Sequence, residues 1–236
     1  MRYNDDSDTM STKKPAKAPR KGRTSKRFSL VPEAAQRKMH AALTALASNG
    51  AGDVSGAAVA EMAAALAMGA RDAVILANGS GGAYIAQSAP QLVRAADIRA
   101  ALLTAVEKLI ESPTCTALLC PGEVETDSVN ELREALRFAA RHKLPLLFLI
   151  GNRLTPGRKQ QFDFRTLYAE FGVPVFSVDG GDAIAAYRVT TEALHNARHQ
   201  RGPSLIEAVT VVGKQTVQIP PLQLLGLYME RHGVRA

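Results

Sequence analysis

Residues 171–210 constrain the fold more than any other part of the sequence. They contain a short β-branched run, a turn rich in aspartate and glycine, a helical repeat of small apolar residues, and a second apolar run after Gly202-Pro203. Asp182 stands where the helix would begin, and its carboxylate can accept an unpaired backbone N–H of the first turn. Two strands joined by a helix in this way form a βαβ unit. The segment therefore predicts a parallel sheet with helices packed against it.

Three more apolar runs, at residues 72–77, 116–120 and 144–150, are predicted to be strands of the same sheet. The last run is apolar on both faces, as a central parallel strand should be. Helical patterns separate the runs, and we predict one long helix over residues 91–111 and a capping box at 128–131. Strands that alternate with helices predict an α/β fold with an open, doubly wound parallel sheet.

Positive charge is concentrated at the start of the chain. The net charge is +7, and residues 1–27 hold nine of the 29 basic residues but only three of the 22 acidic ones. This segment lacks the apolar side chains that would repay the entropy of ordering it, so we predict a disordered basic tail over residues 1–30. Residues 31–236 are long enough for one domain. Residues 13–27 could contact nucleic acid or serve only as a solvated tail, and they contain no aromatic side chain to stack on bases.

The remaining composition points to a cytoplasmic protein. The two cysteines, Cys115 and Cys120, fall on one predicted strand with their side chains on opposite faces, so they cannot bridge each other and are expected to be buried thiols. No apolar run approaches 18 residues, which argues against a membrane span. The polar, acidic first residues are unlike a secretory signal.

Ligands of open parallel sheets lie beyond the carboxyl ends of the strands. The glycine-rich turn at 78–82 could hold a phosphate on its backbone N–H groups, or could be only a tight turn, since it lacks the full dinucleotide spacing. The acidic loop at 121–127 could offer oxygen ligands or simply be solvated. His195 and His199 have metal-ligand spacing on a helix, but no third ligand is evident, and an exposed helix end is the expected interpretation.

Several of these features resemble one known family. The Val-Asp-Gly-x-Asp turn at 178–182, Tyr187, Ala197-Arg198 and the Gly-Pro-x-Leu-Ile-Glu run at 202–207 occur together as in the α subunits of 2-oxoacid dehydrogenase E1 components. Residues 130–152 are similar to the helix and strand between that family's two cofactor motifs. The resemblance implies a thiamine-diphosphate-binding-type fold, thiamine diphosphate and Mg²⁺ as cofactors, oxidative decarboxylation of a 2-oxoacid with acyl transfer to lipoamide, and a β-like partner chain or a homo-oligomer.

The family's cofactor motifs fall on altered residues here. Its Gly-Asp-Gly motif, whose Asp helps to hold Mg²⁺, aligns with residues 123–125 or 120–122, and its Asn pair aligns with Asn152-Arg153. Its diphosphate-contacting aromatic-Arg pair falls near residues 78–79. Carboxylate and amide oxygens suit a hard cation, so Glu123, Glu125 and Asn152 are the candidate metal ligands. The cofactor-binding candidates that the resemblance implies are Asn78, Gly79, Gly122, Glu123, Glu125, Asn152 and Arg153.

Three functions are open at the level of sequence. The first is an E1 α-subunit-like component, catalytically degenerate if the changed positions no longer bind the metal, because arginine cannot ligate Mg²⁺. No catalytic residue can be assigned, and residues 209–218 lack the histidine of the family's loop after this strand. The second is a non-catalytic assembly or regulatory subunit that pairs with a β-like chain. The third is a nucleic-acid-associated protein that acts through residues 13–27.

Overall fold

The structure is a computed structural model, and it describes residues 29–48, 56–77, 91–123, 128–155, 163–199, 201–211 and 219–236. Within these ranges six strands form a single sheet. Residues 1–28 of the predicted basic tail, including residues 13–27, lie outside them, so the nucleic-acid hypothesis stays a prediction. The strands are β1 (Ala73–Ala77), β2 (Leu92–Ala95), β3 (Ala117–Glu123), β4 (Leu146–Leu154), β5 (Val175–Asp179) and β6 (Ser204–Val211).

Helices connect and cover these strands. None of the helices in the described ranges has the length and apolar character needed to cross a bilayer. In chain order they are α1 (Glu33–Ser48), α2 (Gly56–Ala67), α3 (Ile98–Glu111), α4 (Val129–Arg141), α5 (Thr166–Phe171), α6 (Ala183–Arg198) and α7 (Pro221–His232).

The sheet has the order β2-β1-β3-β4-β6-β5, and every neighbouring pair of strands is parallel. The predicted α/β class and parallel sheet are therefore confirmed. So is the βαβ unit at residues 171–210, in which β5 and β6 are adjacent and α6 joins them. Asp182 begins α6 as predicted, and its Oδ1 accepts a hydrogen bond from the Ala185 N–H at 3.0 Å.

Two apolar layers hold the sheet between its helices. On one face α1, α2, α6 and α7 cover the strands, and on the other face α3, α4 and α5 do so. Strand β4 is buried from both sides because its side chains alternate: Leu147 and Leu149 enter the first layer, and Leu146, Phe148 and Ile150 enter the second. The apolar run at 144–150 is thus a central strand, as predicted.

The predicted helix over residues 91–111 is wrong in its first part. Leu92–Ala95 is the edge strand β2, and it pairs with β1 from Val74↔Leu92 onwards. Helix α3 begins only after Asp97, whose Oδ1 accepts a hydrogen bond from the Ala100 N–H at 2.8 Å. Backbone hydrogen bonds to β1 outweigh the helical spacing of the apolar residues, and the N-cap signal at Asp97 marked the true boundary.

The capping box at 128–131 is also wrong. Ser128 precedes α4, but its side chain makes no capping hydrogen bond and its backbone is already helical, with φ −82° and ψ −13°. The prediction for the cysteines is confirmed. Both are buried free thiols, and they lie in the two different apolar layers, with Cys115 just before β3 and Cys120 within it.

Candidate functional site

The carboxyl ends of β3 and β4 carry four of the residues predicted to bind cofactor. Gly122 and Glu123 close β3, and Asn152 and Arg153 lie near the end of β4. The pairing of these two strands shifts register between Leu119 and Gly122, and Gly122 has a φ of +81°, a value that glycine adopts without strain. The other three candidates, Asn78, Gly79 and Glu125, lie outside the described residues.

Glu123 and Arg153 form an ion pair across the β3–β4 boundary. The distance from Arg153 Nη1 to Glu123 Oε2 is 3.9 Å, and the two side chains are 59% and 43% exposed. The register explains the pair: Glu123 lies opposite Gly151, and Arg153 follows two residues later on the same face. Gly151 leaves room for the acidic side chain, since a Cβ there would lie 3.0 Å from Glu123 Cγ. An ion pair this exposed adds little stability, so another charged group could displace it.

Asn152 contacts a different residue, Glu207, on the neighbouring strand β6. The amide nitrogen Nδ2 of Asn152 donates to Oε1 of Glu207, and the hydroxyl of Ser177 on β5 donates to Oε2. Glu207 is only 5% exposed. A buried carboxylate is costly unless its oxygens accept hydrogen bonds, and here each oxygen has a donor. Glu207 therefore ties β4 and β5 to β6.

The Glu123–Arg153 ion pair and the Asn152–Glu207 hydrogen bond lie on opposite faces of the sheet. Successive residues of a strand point to opposite sides, so Asn152 and Arg153 diverge. Glu207 shares its face with Leu205, in the layer of α3, α4 and α5, whereas the side chain of Glu123 lies beside Ala57 on the side of α2. The structure thus brings Glu123 to Arg153 and keeps it from Asn152.

The described candidates do not, by themselves, form a Mg²⁺ site of the kind that the resemblance implies. Mg²⁺ needs oxygen ligands in near-octahedral geometry around one point. Glu123 and Asn152 face opposite sides, and the neighbour of Glu123 is a cation. Among the described residues, no group of three His, Cys, Asp or Glu side chains could hold a metal ion. Because Glu125 lies outside those residues, the full set of Glu123, Glu125 and Asn152 stays a prediction.

Close backbone packing supports this edge of the sheet from the side of α2. A Cβ at Gly56, the first residue of α2, would overlap Thr210 Oγ1, and a Cβ at Gly180, just after β5, would lie 2.9 Å from the Gly56 carbonyl carbon. Helix α2 therefore begins in direct contact with the β5–α6 turn. The sequence showed Gly180 only as a turn residue, because contacts between distant segments leave no local pattern.

Arg198, one of the residues that carried the resemblance, serves the opposite edge of the sheet. Its Nη2 donates to Oδ2 of Asp72, which precedes β1 and is buried. The same carboxylate accepts the N–H of Gly69 at 2.7 Å and, through Oδ1, the N–H of Thr116 at 3.0 Å. This cluster joins α6 to the starts of β1 and β3, away from the carboxyl ends, so its role lies in the fold.

The two histidines with metal-ligand spacing lie at the exposed end of α6. The ring centroids of His195 and His199 are 4.1 Å apart, and His199 Nδ1 is 2.7 Å from the carbonyl oxygen of His195. No third ligand accompanies them in the described part of the chain. The expectation of an exposed helix end is confirmed.

Comparison with known proteins assigns most of this domain to one family. Residues 54–212 match the family described as "Dehydrogenase E1 component". The chain is 38% identical over 103 residues to the pyruvate dehydrogenase E1 component subunit alpha of Acholeplasma laidlawii, which covers 40% of this chain and 30% of that protein. It is 37% identical over 89 residues to the corresponding protein of Staphylococcus aureus, which covers 35% of this chain and 24% of that protein. The chain thus spans less than a third of the length of these curated relatives.

A solved structure gives the same fold. A protein of Mycobacterium smegmatis, described as a thiamin diphosphate-dependent enzyme, superposes with a TM-score of 0.51 and 18% sequence identity, over 68% of this chain and 33% of that one. At this identity the likeness concerns the fold alone, and it agrees with the six-stranded parallel sheet described above.

Proposed function

Because this chain belongs to the dehydrogenase E1 component family, we propose that it is an α-subunit-like member whose cofactor edge is degenerate. One observation carries the proposal. The two residues that align with the family's metal-binding Asn pair are engaged with other protein groups, Asn152 with Glu207 and Arg153 with Glu123. A Mg²⁺ ion at this position would have to compete with the first pair and with the positive charge of Arg153.

Arg153 is a group at this edge that could attract an anion. The negative charges on the phosphate oxygens of a diphosphate need compensation when a cleft removes water from them. Arg153 is exposed and held by Glu123 only at 3.9 Å, so its guanidinium could turn to a phosphate group at small cost. A single arginine cannot reproduce the bridging geometry of Mg²⁺. We therefore expect weak binding of thiamine diphosphate that does not depend on the metal.

The proposed role is that of an assembly or regulatory subunit that pairs with a β-like chain. Two features support it. The family-matched domain keeps its packed sheet, its α2–turn contact and the Asp72–Arg198 cluster, all of which serve the fold. The described candidates for metal binding, in contrast, are separated across the sheet. A chain that keeps the contacts of the family's fold but does not bring metal ligands together is suited to assembly with a partner chain.

Calorimetric titration of the purified chain with thiamine diphosphate, with and without Mg²⁺, tests this proposal. We expect weak or undetectable heat in both titrations. The double substitution Arg153→Asn with Val124→Asp should restore oxygen ligands and create a Mg²⁺-dependent response. Arg137→Asn is the matched control, because Arg137 is an exposed arginine of α4 and its replacement should change nothing.

Tight binding by the unaltered chain would contradict the proposal. If it binds thiamine diphosphate in the low micromolar range only when Mg²⁺ is present, the edge is a working metal site. The ligands would then be Glu123 or Glu125 together with Asn152, and the chain would be a catalytic E1 component.

A further inference from the structure

Helix α3 carries an apolar stripe that faces away from the core. Its inner face, formed by Ile98, Ala101 and Ala105, is buried against the sheet. On the outer face Leu103 is 65% exposed and Ile110 is 75% exposed. An exposed leucine alone needs no explanation, but these two are the most exposed of the large apolar side chains in the described residues.

The spacing of the stripe is that of a helix–helix contact. Arg99, Leu103, Val106 and Ile110 follow one another at intervals of four, three and four residues. This is the alternation of the a and d positions of a heptad, which lines up on one side of a helix and packs against a second helix. Val106 is partly exposed and is not among the side chains packed on the core, so it belongs to the same stripe.

Three charges on α3 are placed against its own dipole, whereas Asp97 at its N-cap and Lys108 in its last turn follow the favoured order. Arg99 lies in the first turn, where a helix favours acidic residues, and Glu107 and Glu111 lie towards the end, where it favours basic ones. Glu111 is paired with Lys108 at 2.8 Å. Arg99 and Glu107 form no ion pair with any residue that the structure describes. Arg99 therefore begins the stripe and Glu107 borders it beside Lys108, and neither forms an ion pair among the described residues.

We propose that this stripe binds a second copy of the chain, with the two α3 helices packed antiparallel about a two-fold axis. In that arrangement Leu103 lies opposite Val106 of the second copy, and Arg99 lies beside Ile110 of the second copy, within one turn of its Glu107. Each arginine then meets both the acidic residues and the negative helix end of the other copy, and symmetry repeats the contact. A parallel arrangement would set Arg99 against Arg99 and Glu107 against Glu107.

A second copy fits this surface because α3 itself carries the apolar seam and the charges of both signs that an antiparallel partner helix needs. An unrelated partner would need its own apolar seam with charges in the reverse order. The contact of one helix pair buries less area than a standard interface, so we expect a weak, concentration-dependent dimer. The stripe lies on the outer surface of α3 and shares no residue with the candidate cofactor edge, so this inference stands apart from the proposed function.

Sedimentation equilibrium of the full chain over a range of concentrations tests the proposal. The unaltered chain should pass from monomer to dimer as its concentration rises. Leu103→Asp with Ile110→Asp should raise the dimer dissociation constant by about tenfold or more, since it puts charges into the seam. Leu227→Asp is the matched control, because Leu227 is 51% exposed on α7, outside the stripe, and its replacement should leave the dimer intact.

A charge exchange supplies the second arm and distinguishes the antiparallel arrangement. Arg99→Glu and Glu107→Arg should each weaken the dimer, and the two substitutions together should restore it. Circular dichroism melting of every variant checks that the fold is retained, as expected for exposed positions. A chain that stays monomeric at all concentrations would overturn the proposal, as would a Leu103/Ile110 variant that dimerises like the unaltered chain. A failure of the double exchange to restore the dimer, or a stripe covered only when a β-like chain is added, would also overturn it.

Discussion

Glu207 is an acidic residue inside an apolar strand, and three strands meet at its side chain. The sequence contained it as the last residue of a family motif, and nothing in that motif indicated which donors it would bind. Asn152 and Ser177 come from segments 55 and 30 residues away. Contacts at such separations depend on strand order, which the sequence analysis did not specify. Strand alternation could still have shown that Asn152 and Arg153 diverge, so this part of the site was predictable.

Removal of the Glu207 carboxylate should destabilise the fold. In Glu207→Ala the donors of Asn152 and Ser177 lose their acceptor in a buried place, which we expect to cost about 1–3 kcal/mol of unfolding free energy. Glu207→Gln is the matched control, since its amide oxygen can still accept from Asn152 and its size is unchanged. Urea unfolding measures both variants. Equal stability of the alanine and glutamine variants would show that these hydrogen bonds do not stabilise the fold.

The buried thiol of Cys120 should make stability depend on pH in the alkaline range. Burial raises the pKa of Cys120 well above its ordinary value, and the nearby carboxylate of Glu61 raises it further. The unfolded chain loses this proton at a pKa of about 8.5, while the folded chain retains it. The resulting stability is complete below that pH and is lost as the pH rises above it. Urea unfolding under reducing conditions at neutral and alkaline pH should show a smaller loss for Cys120→Ala than for the unaltered chain.

Among the helices and strands, the sequence predicted most accurately those whose pattern extends over many consecutive residues. The βαβ unit at 171–210 and the two-sided strand β4 have periodicities and boundaries that a few residues define. Strand β2 was missed because four residues, Leu92–Ala95, are too short to show an alternation against the following helical pattern. Its pairing with β1 depends on the whole sheet, and only the aspartate at position 97 indicated where the helix begins.

The contact between α2 and the β5–α6 turn should be sensitive to a single methyl group. Gly180→Ala would place a Cβ 2.9 Å from the carbonyl carbon of Gly56, and backbone cannot yield as a flexible side chain does. We expect a loss of about 1–3 kcal/mol in unfolding free energy from the forced shift. Gly226→Ala is the matched control, because nothing lies within 4 Å of its Cβ and alanine favours the helix α7. Thermal unfolding should therefore show opposite effects, and a neutral Gly180→Ala would contradict the close approach.

At the scale of the whole molecule, the described fold begins at Ser29, which is fixed to the last helix. Its hydroxyl is 2.9 Å from the hydroxyl of Tyr228 on α7, and the amide of Gln36 donates to Ser29 Oγ at 3.2 Å and to the Val31 carbonyl at 2.8 Å. Gln36 and Val31 are both buried. Composition predicted a domain from residue 31, close to this anchor. It could not predict the anchor itself, because Tyr228 lies 199 residues away.

Because of this anchor, we expect different stabilities for two truncations that differ by three residues. Deletion of residues 1–28 keeps Ser29 and Val31, and we expect the melting temperature to stay within about 2 °C of that of the full chain, because charged terminal segments contribute little packing. Deletion of residues 1–31 also removes the carbonyl and hydroxyl that the buried Gln36 amide binds, and exposes the pocket of Val31. Loss of those partners should cost about 1–3 kcal/mol, which lowers the melting temperature by several degrees in a domain of this size. Differential scanning calorimetry of the two truncations measures the difference. A large loss in the shorter truncation would mean that the basic segment contributes to folding, and equal stability of the two would mean that the fold does not depend on the anchor.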